Sequence, residues 1–112
     1  MKKIEAIIRP EKLEAVRVAL EKAGCQGVMI TEIEGHGKQK GVVQQWRGEK
    51  YKVSLLPKIR LEVVVKDTDL NSIVKVITSA TKTGEIGDGK IFVYEVLEAI
   101  RIRTQETGEK AL

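Results

Sequence analysis

Two short stretches of the chain are rich in β-branched residues: residues 3–8 (KIEAII) and 58–65 (KIRLEVVV). In the second, Ile59, Leu61, Val63 and Val65 alternate with other residues and share one side, the period-two pattern of a strand buried on one face. Between them the period changes. Pro10 opens a helix on which Leu13, Val16, Leu20 and Ala23 recur at helical spacing, and Gly24 stands where such a helix ends. A strand over about residues 27–34 follows. After residue 65, Thr68 or Asp69 is placed to cap a helix whose Leu70, Ile73, Val74 and Ile77 form one apolar stripe, and residues 91–96 (IFVYEV) supply a last strand.

The resulting order, β-α-β-β-α-β with helices of similar length, predicts an α+β fold: a ferredoxin-like βαββαβ sandwich with both helices on one sheet face. At 112 residues the chain fits a single domain, 1–112, because linked domains need more length to build separate cores. Its anomaly is the segment between the second and third strands. Residues 35–57 are far longer than a hairpin requires, and loops of that length in compact domains are usually functional, so about 36–56 is read as a regulatory loop. The remaining landmarks are a loop at about 82–90 and a C-terminal segment at about 98–112.

Composition narrows the function. With 42% apolar and 32% charged residues the chain has material for a core and for a solvated surface. The net charge of +4 is dispersed, which suits a phosphate-bearing ligand better than bulk nucleic acid, and only 4% of residues are aromatic, too few to make the sheet a base-stacking platform. One cysteine, Cys25, and one histidine, His36, exclude an internal disulfide and a Cys/His zinc cluster, and a reducing, cytoplasmic setting fits best. Cys25 reads as a small hydrophobe behind a helix-ending glycine, and His36 as a solvated loop residue. The N-terminus carries too few apolar residues for a signal peptide or a membrane span, so any membrane role would run through a partner. No nucleophile-base pair or carboxylate dyad stands out, which argues against an enzyme.

Three clusters carry candidate chemistry. Thr83-Gly84-Glu85-Ile86-Gly87-Asp88-Gly89-Lys90 runs straight into the last strand. Glycines let successive backbone N–H groups approach an anion and Lys90 adds a point charge, although a Gly-Asp-Gly turn feeding a strand explains the same residues. Gly35-His36-Gly37-Lys38-Gln39-Lys40-Gly41 repeats the recipe at the start of the long loop, and a flexible basic loop is its plainer meaning. Near the C-terminus, Ile100-Arg101-Ile102-Arg103 alternates, which as a strand would put both arginines on one face and bury both isoleucines. Paired guanidiniums suit carboxylate or phosphate, while cations guarding an edge strand are the alternative. Trp46, Arg47 and Tyr51 in the middle of the long loop have the character of interface anchors.

Taken together, TGEIGDGKIFVYEV resembles the phosphate-loop signature of the PII nitrogen-signalling family. KKIEAIIRP, the GxGxQKG run at Gly35–Gly41 and AIRIRTxETGE at Ala99–Glu109 resemble its other landmarks, in order and over essentially the whole chain. The resemblance implies a homotrimer that binds ATP or ADP in clefts between subunits and regulates partners through its long loop. It assigns phosphate contacts to Gly87, Asp88, Gly89 and Lys90, joined by Arg101 and Arg103 of an adjacent chain. It assigns the base and ribose pocket to Ile7, Gly35, Gly37, Lys38 and Val64, with Met29 where a threonine is usual. A 2-oxoglutarate site is implied at Arg9, Gly37, Gln39, Lys40, Gly41, Lys58 and Gly87, with Gln39 ligating Mg²⁺ beside the ATP. Tyr51 matches a modified tyrosine of some members, and Arg47 a residue that engages ammonium transporters.

The implied function is nitrogen and carbon sensing through an ammonium transporter, glutamine synthetase or another nitrogen-metabolism target. Departures at His36, Gln44, Trp46 and Lys50 keep open a divergent paralogue with another target, such as nitrogenase, or a weakened 2-oxoglutarate response.

Overall fold

The computed structural model describes residues 1–35 and 56–112 in full, and between them the backbone of 43–46 and 49–52. Strand β1 (Lys2–Ile8) leads through a 3-10 turn at Pro10–Lys12 into helix α1 (Leu13–Lys22), and β2 (Met29–Gly35) follows. A separate two-stranded ribbon, β3 (Val43–Trp46) and β4 (Glu49–Lys52), pairs Val43 with Lys52 and Trp46 with Glu49. Strand β5 (Leu56–Val65), helix α2 (Leu70–Thr81) and strand β6 (Lys90–Glu95) complete the fold. The ribbon is an element that hydrophobic patterning did not predict: its strands are four residues each and lack an apolar face for any core to select.

The main sheet has the order β2-β5-β1-β6 and is antiparallel throughout. Each β-α-β unit therefore leaves a gap that a strand of the other unit fills, the ferredoxin-like arrangement expected from the element order. Alternation along the central strands dictates the layers. Ile4, Ala6 and Ile8 of β1 and Ile59, Leu61, Val63 and Val65 of β5 are buried, and they meet Val16 and Leu20 of α1 and Ile73 and Ile77 of α2. Among the described residues, every buried apolar residue comes from these four elements. The edge strands contribute less: Phe92, Val93 and Tyr94 of β6 and Met29 and Ile30 of β2 remain about half exposed.

The helix ends show where local rules hold and where they yield. Gly24, at φ +77°, closes α1 by donating to Glu21 O at 3.0 Å while the Cys25 amide reaches Leu20 O at 2.9 Å, a Schellman pair. The start of α2 departs from expectation. Residues Asp67–Asp69 form a 3-10 turn, Asp69 takes the N-cap position, and its side chain makes no capping bond; the Ser72 hydroxyl instead donates to Asp69 O at 2.9 Å. The Asp69 backbone is helical rather than extended, so its carboxylate does not lie over the free amides of the first turn.

The larger correction is at the C-terminus. Residues 100–103 do not continue as a strand, because the chain turns back on itself, with the Gln105 amide donating to Arg101 O at 2.7 Å and the Arg101 amide to Glu106 O at 2.9 Å. Ile100 and Ile102 are not buried; they stand 62% and 95% exposed. Alternation here reflected a turn that folds away from the core.

Candidate functional site

At one end of the sheet, where β1 finishes and β6 begins, residues 83–89 form a loop held by its own side chains. The Asp88 carboxylate accepts from the Thr83 amide at 2.8 Å, the Gly84 amide at 2.9 Å and the Thr83 hydroxyl. The Thr83 hydroxyl oxygen in turn accepts from the Glu85 amide at 3.1 Å. Led by the Thr83 hydroxyl, and helped by these amides and the Arg9 guanidinium, this environment holds the Asp88 carboxyl far below the usual carboxylate range. Asp88 is thus an ionised staple across the loop's neck.

Glycine is obligatory at the loop's exit. Gly89 sits at φ +101°, and a Cβ there would come 1.6 Å from the carbonyl oxygen of Ile7. The loop backbone therefore lies directly on β1, as only a residue without a side chain allows. Gly84 and Gly87, at φ +90° and +104°, also take left-handed backbone in this loop.

Two cations, one just past β1 and one on β5, grip the same loop. Arg9, just past β1, donates from Nη2 to Ile86 O at 2.9 Å and from Nε to Asp88 Oδ1 at 3.1 Å. Lys58 of β5 donates from Nζ to Gly87 O at 2.8 Å. Partial burial and the nearby Arg9 charge push the Lys58 pKa down, against the opposing pull of Glu11 and Asp88. Lys90 lies exposed at the start of β6, beside Ile7 in the β1–β6 register, and Gly35 packs against the Lys58 stem, where a Cβ would be 3.3 Å from Cγ. A cavity of about 360 Å³ opens next to this loop, lined by Ile7, Thr78, Thr81, Asp88, Gly89 and Lys90 among others.

The remaining residues from the sequence-based site gather elsewhere. Met29 faces Glu62 across β2 and β5, and Val64 lies two residues further along β5. Val64, Cys25 and Leu112 line a second cavity of about 450 Å³. Cys25 is half-buried, and burial raises its thiol pKa. Arg101 belongs to this end, because its Nη2 donates to Leu112 O at 3.2 Å and its Nη1 pairs with Glu106 at 3.0 Å. Arg103 is exposed in the turn. Lys58 and Val64 are separated by six positions of β5, roughly 20 Å. The structure therefore brings Ile7, Arg9, Gly35, Lys58, Gly87, Asp88, Gly89 and Lys90 together at one end, and Met29, Val64 and Arg101 at the other.

Gly37, Lys38, Gln39, Lys40 and Gly41 lie outside the described residues, as do Arg47 and the side chains of Trp46 and Tyr51. Linear reading missed the structural part played by Thr83 and the grip of Arg9 on the loop. Thr83 stood inside the glycine motif, five residues before Asp88, so its role as a turn-forming hydroxyl was legible in principle. Arg9 and Asp88 are 79 positions apart, and only the sheet order joins them.

The fold and this braced glycine loop define a small α+β module with a long insertion between two sheet strands. A family model described as nitrogen regulatory protein P-II matches residues 1–106. Over its whole length the chain is 53% identical to nitrogen regulatory protein P-II 2 of Methanothermobacter thermautotrophicus, covering 97% of that protein. It is 54% identical to nitrogen regulatory protein P-II of Cereibacter sphaeroides and 47% identical to that of Porphyra purpurea, with full coverage of both chains in each case. The chain belongs to the nitrogen regulatory protein P-II family, a family of regulators of nitrogen metabolism rather than of enzymes. Among the described residues, no helix is long and apolar enough to cross a membrane.

Proposed function

We propose that this protein senses cellular nitrogen and carbon status by binding ATP or ADP together with 2-oxoglutarate, and passes that state to partner proteins through residues 36–56. The observation that carries the reading is the glycine loop: Gly89 packed on Ile7 O, with Arg9 and Lys58 fastened to the carbonyls of Ile86 and Gly87. Such a loop is shaped before any ligand arrives, and preorganisation lowers the ordering cost of binding. Gly87, Gly89 and Lys90 hold the nucleotide phosphates through backbone amides and one ammonium. Asp88 serves by shaping the loop, since its ionised carboxylate repels phosphate oxygens.

Ile7, Gly35, Gly37 and Lys38 flank the nucleotide from the loop side; Met29, Val64, Arg101 and Arg103 reach it from a neighbouring copy. The separation of these two groups in one chain supports a site shared between subunits of a homotrimer, as do the exposed apolar residues Phe92, Tyr94, Leu97, Ile100 and Ile102. Gln39 would hold Mg²⁺ beside the phosphates, where the metal would supply positive charge for 2-oxoglutarate, and Lys58 would pair with the carboxylate of 2-oxoglutarate. Gly37, Lys40, Gly41 and Gly87 complete that corner. The targets are an ammonium transporter or a nitrogen-metabolism enzyme in the cytoplasm, engaged through Trp46, Arg47 and Tyr51 by a shift in loop populations.

Isothermal titration tests this directly. ATP should bind saturably, and 2-oxoglutarate should bind only when Mg-ATP is present and not at all to Gln39→Ala. ATP binding without any 2-oxoglutarate response would instead indicate a divergent paralogue with another target, and absence of both would sink the nucleotide assignment.

A further inference from the structure

Three successive residues of the glycine loop are gripped by two cations, Arg9 just past β1 and Lys58 on β5. Arg9 takes Ile86 O and the Asp88 carboxylate, and Lys58 takes Gly87 O between them. No peptide bond in the described chain is cis. In a trans peptide the C=O of one residue and the N–H of the next point in opposite directions, because the six atoms between the α-carbons are planar. Drawing the Ile86 carbonyl onto Arg9 therefore turns the Gly87 N–H outward. Drawing the Gly87 carbonyl onto Lys58 does the same for the Asp88 N–H. The cations sit behind the loop, yet they determine which of its groups face a ligand in front.

We propose that Arg9 is a positioning residue for the nucleotide: its guanidinium fork, spanning Ile86 O and Asp88, aims the outer amides of the glycine loop at the phosphates. The nucleotide part of this inference rests on the proposed function; the ordering of the loop by Arg9 does not. Its side chain is only 14% exposed and both its Nε and one terminal nitrogen already serve the loop, so it is built in as a scaffold for the loop. Lysine cannot replace it, since a single ammonium on a flexible stem does not hold two fixed acceptors two residues apart.

The test compares Arg9→Met, which keeps an apolar stem but no donors, with Arg9→Lys, Asp88→Asn and the Arg9→Met/Asp88→Asn double variant. Two quantities are read: ATP affinity by calorimetry without 2-oxoglutarate, and hydrogen exchange of the Thr83 and Gly84 amides in nucleotide-free protein. Arg9→Met is expected to weaken ATP by about tenfold, the scale of a lost charge-assisted hydrogen bond, and to speed exchange at both amides. Arg9→Lys should fall in between, and serves alone if Arg9→Met does not fold. Because Arg9 shares one of its two loop contacts with Asp88, the losses of Arg9→Met and Asp88→Asn should be less than additive in the double variant, with the Ile86 O contact accounting for what Arg9→Met still costs there. Full additivity with unchanged exchange would make Arg9 a direct ligand contact and overturn the proposal, as would unchanged affinity in Arg9→Met. If the wild type fails to bind ATP, the sensing reading falls, and exchange at Thr83 and Gly84 alone decides whether Arg9 orders the loop.

Discussion

The glycine loop at residues 83–90 and the C-terminal segment at 98–112 both looked like phosphate sites in the sequence, yet they differ in how the chain prepares them. The glycine loop is stapled across its neck by Asp88, gripped from below by Arg9 and Lys58, and pressed onto β1 at Gly89. The C-terminal segment turns on itself: Arg101 is engaged with Glu106 and Leu112 of the same segment, and Ile100 and Ile102 face outward. One segment is braced by distant parts of the chain. The other bonds only within itself and leaves apolar side chains on the surface. Under the proposed function the two would serve one ligand, with very different sensitivity to mutation.

The sharpest way to break this contrast is Gly89→Ala. With φ +101° and Ile7 O in the path of a Cβ, the loop must leave β1, and we expect a loss of about 2 kcal/mol or more in urea unfolding together with loss of ATP binding. A variant that binds ATP normally would show that close packing on β1 is dispensable. Thr83→Val should act more mildly. Removing the hydroxyl deletes the leading bond to Asp88, so a small loss of stability is expected, and the Asp88 pKa should rise toward the ordinary carboxylate range, followed by the carboxyl signal in an NMR titration.

Arg101→Met probes the other region. Its ion pair with Glu106 is more than a third exposed on both sides, so thermal unfolding should change by less than about 1 kcal/mol while ATP affinity falls, separating function from stability. Equal losses in both would mean that Arg101 is structural. The smallest effect concerns pH. Asp88 has a folded pKa held well below its ordinary value of 3.8, so its contribution to stability is present above that value and is lost only as pH falls through the folded pKa. The Thr83 and Gly84 amide shifts should accordingly stay flat from pH 8 to 5 and move only in strong acid; a transition near pH 5 would show that the staple is weaker than its geometry implies.

Local pattern was a good guide wherever burial is periodic. Alternation at Ile59, Leu61, Val63 and Val65 and the stripe at Leu70, Ile73, Val74 and Ile77 mark the inner faces of β5 and α2 because a repeating backbone geometry presents them to one core. Gly24, at the end of α1, was legible for the same local reason. Alternation at Ile100–Arg103 carried no such meaning, since the turn bonds of that segment outweigh a pattern with no layer to bury it.

The residues alone therefore determined the layers, the order of the four main-sheet strands and two helices, and the presence of a glycine-rich loop before the last strand. Which groups stand behind that loop was a tertiary matter. Arg9 meets Asp88, and Gly89 meets Ile7, because the antiparallel order β5-β1-β6 brings the end of one strand beside the start of another. The same sheet sets Lys58 and Val64 at opposite ends of β5 and so divides the candidate ligand set in two. Periodicity reports how each element meets the core, whereas contact between residues far apart in the chain depends on strand order and register, which no single stretch encodes.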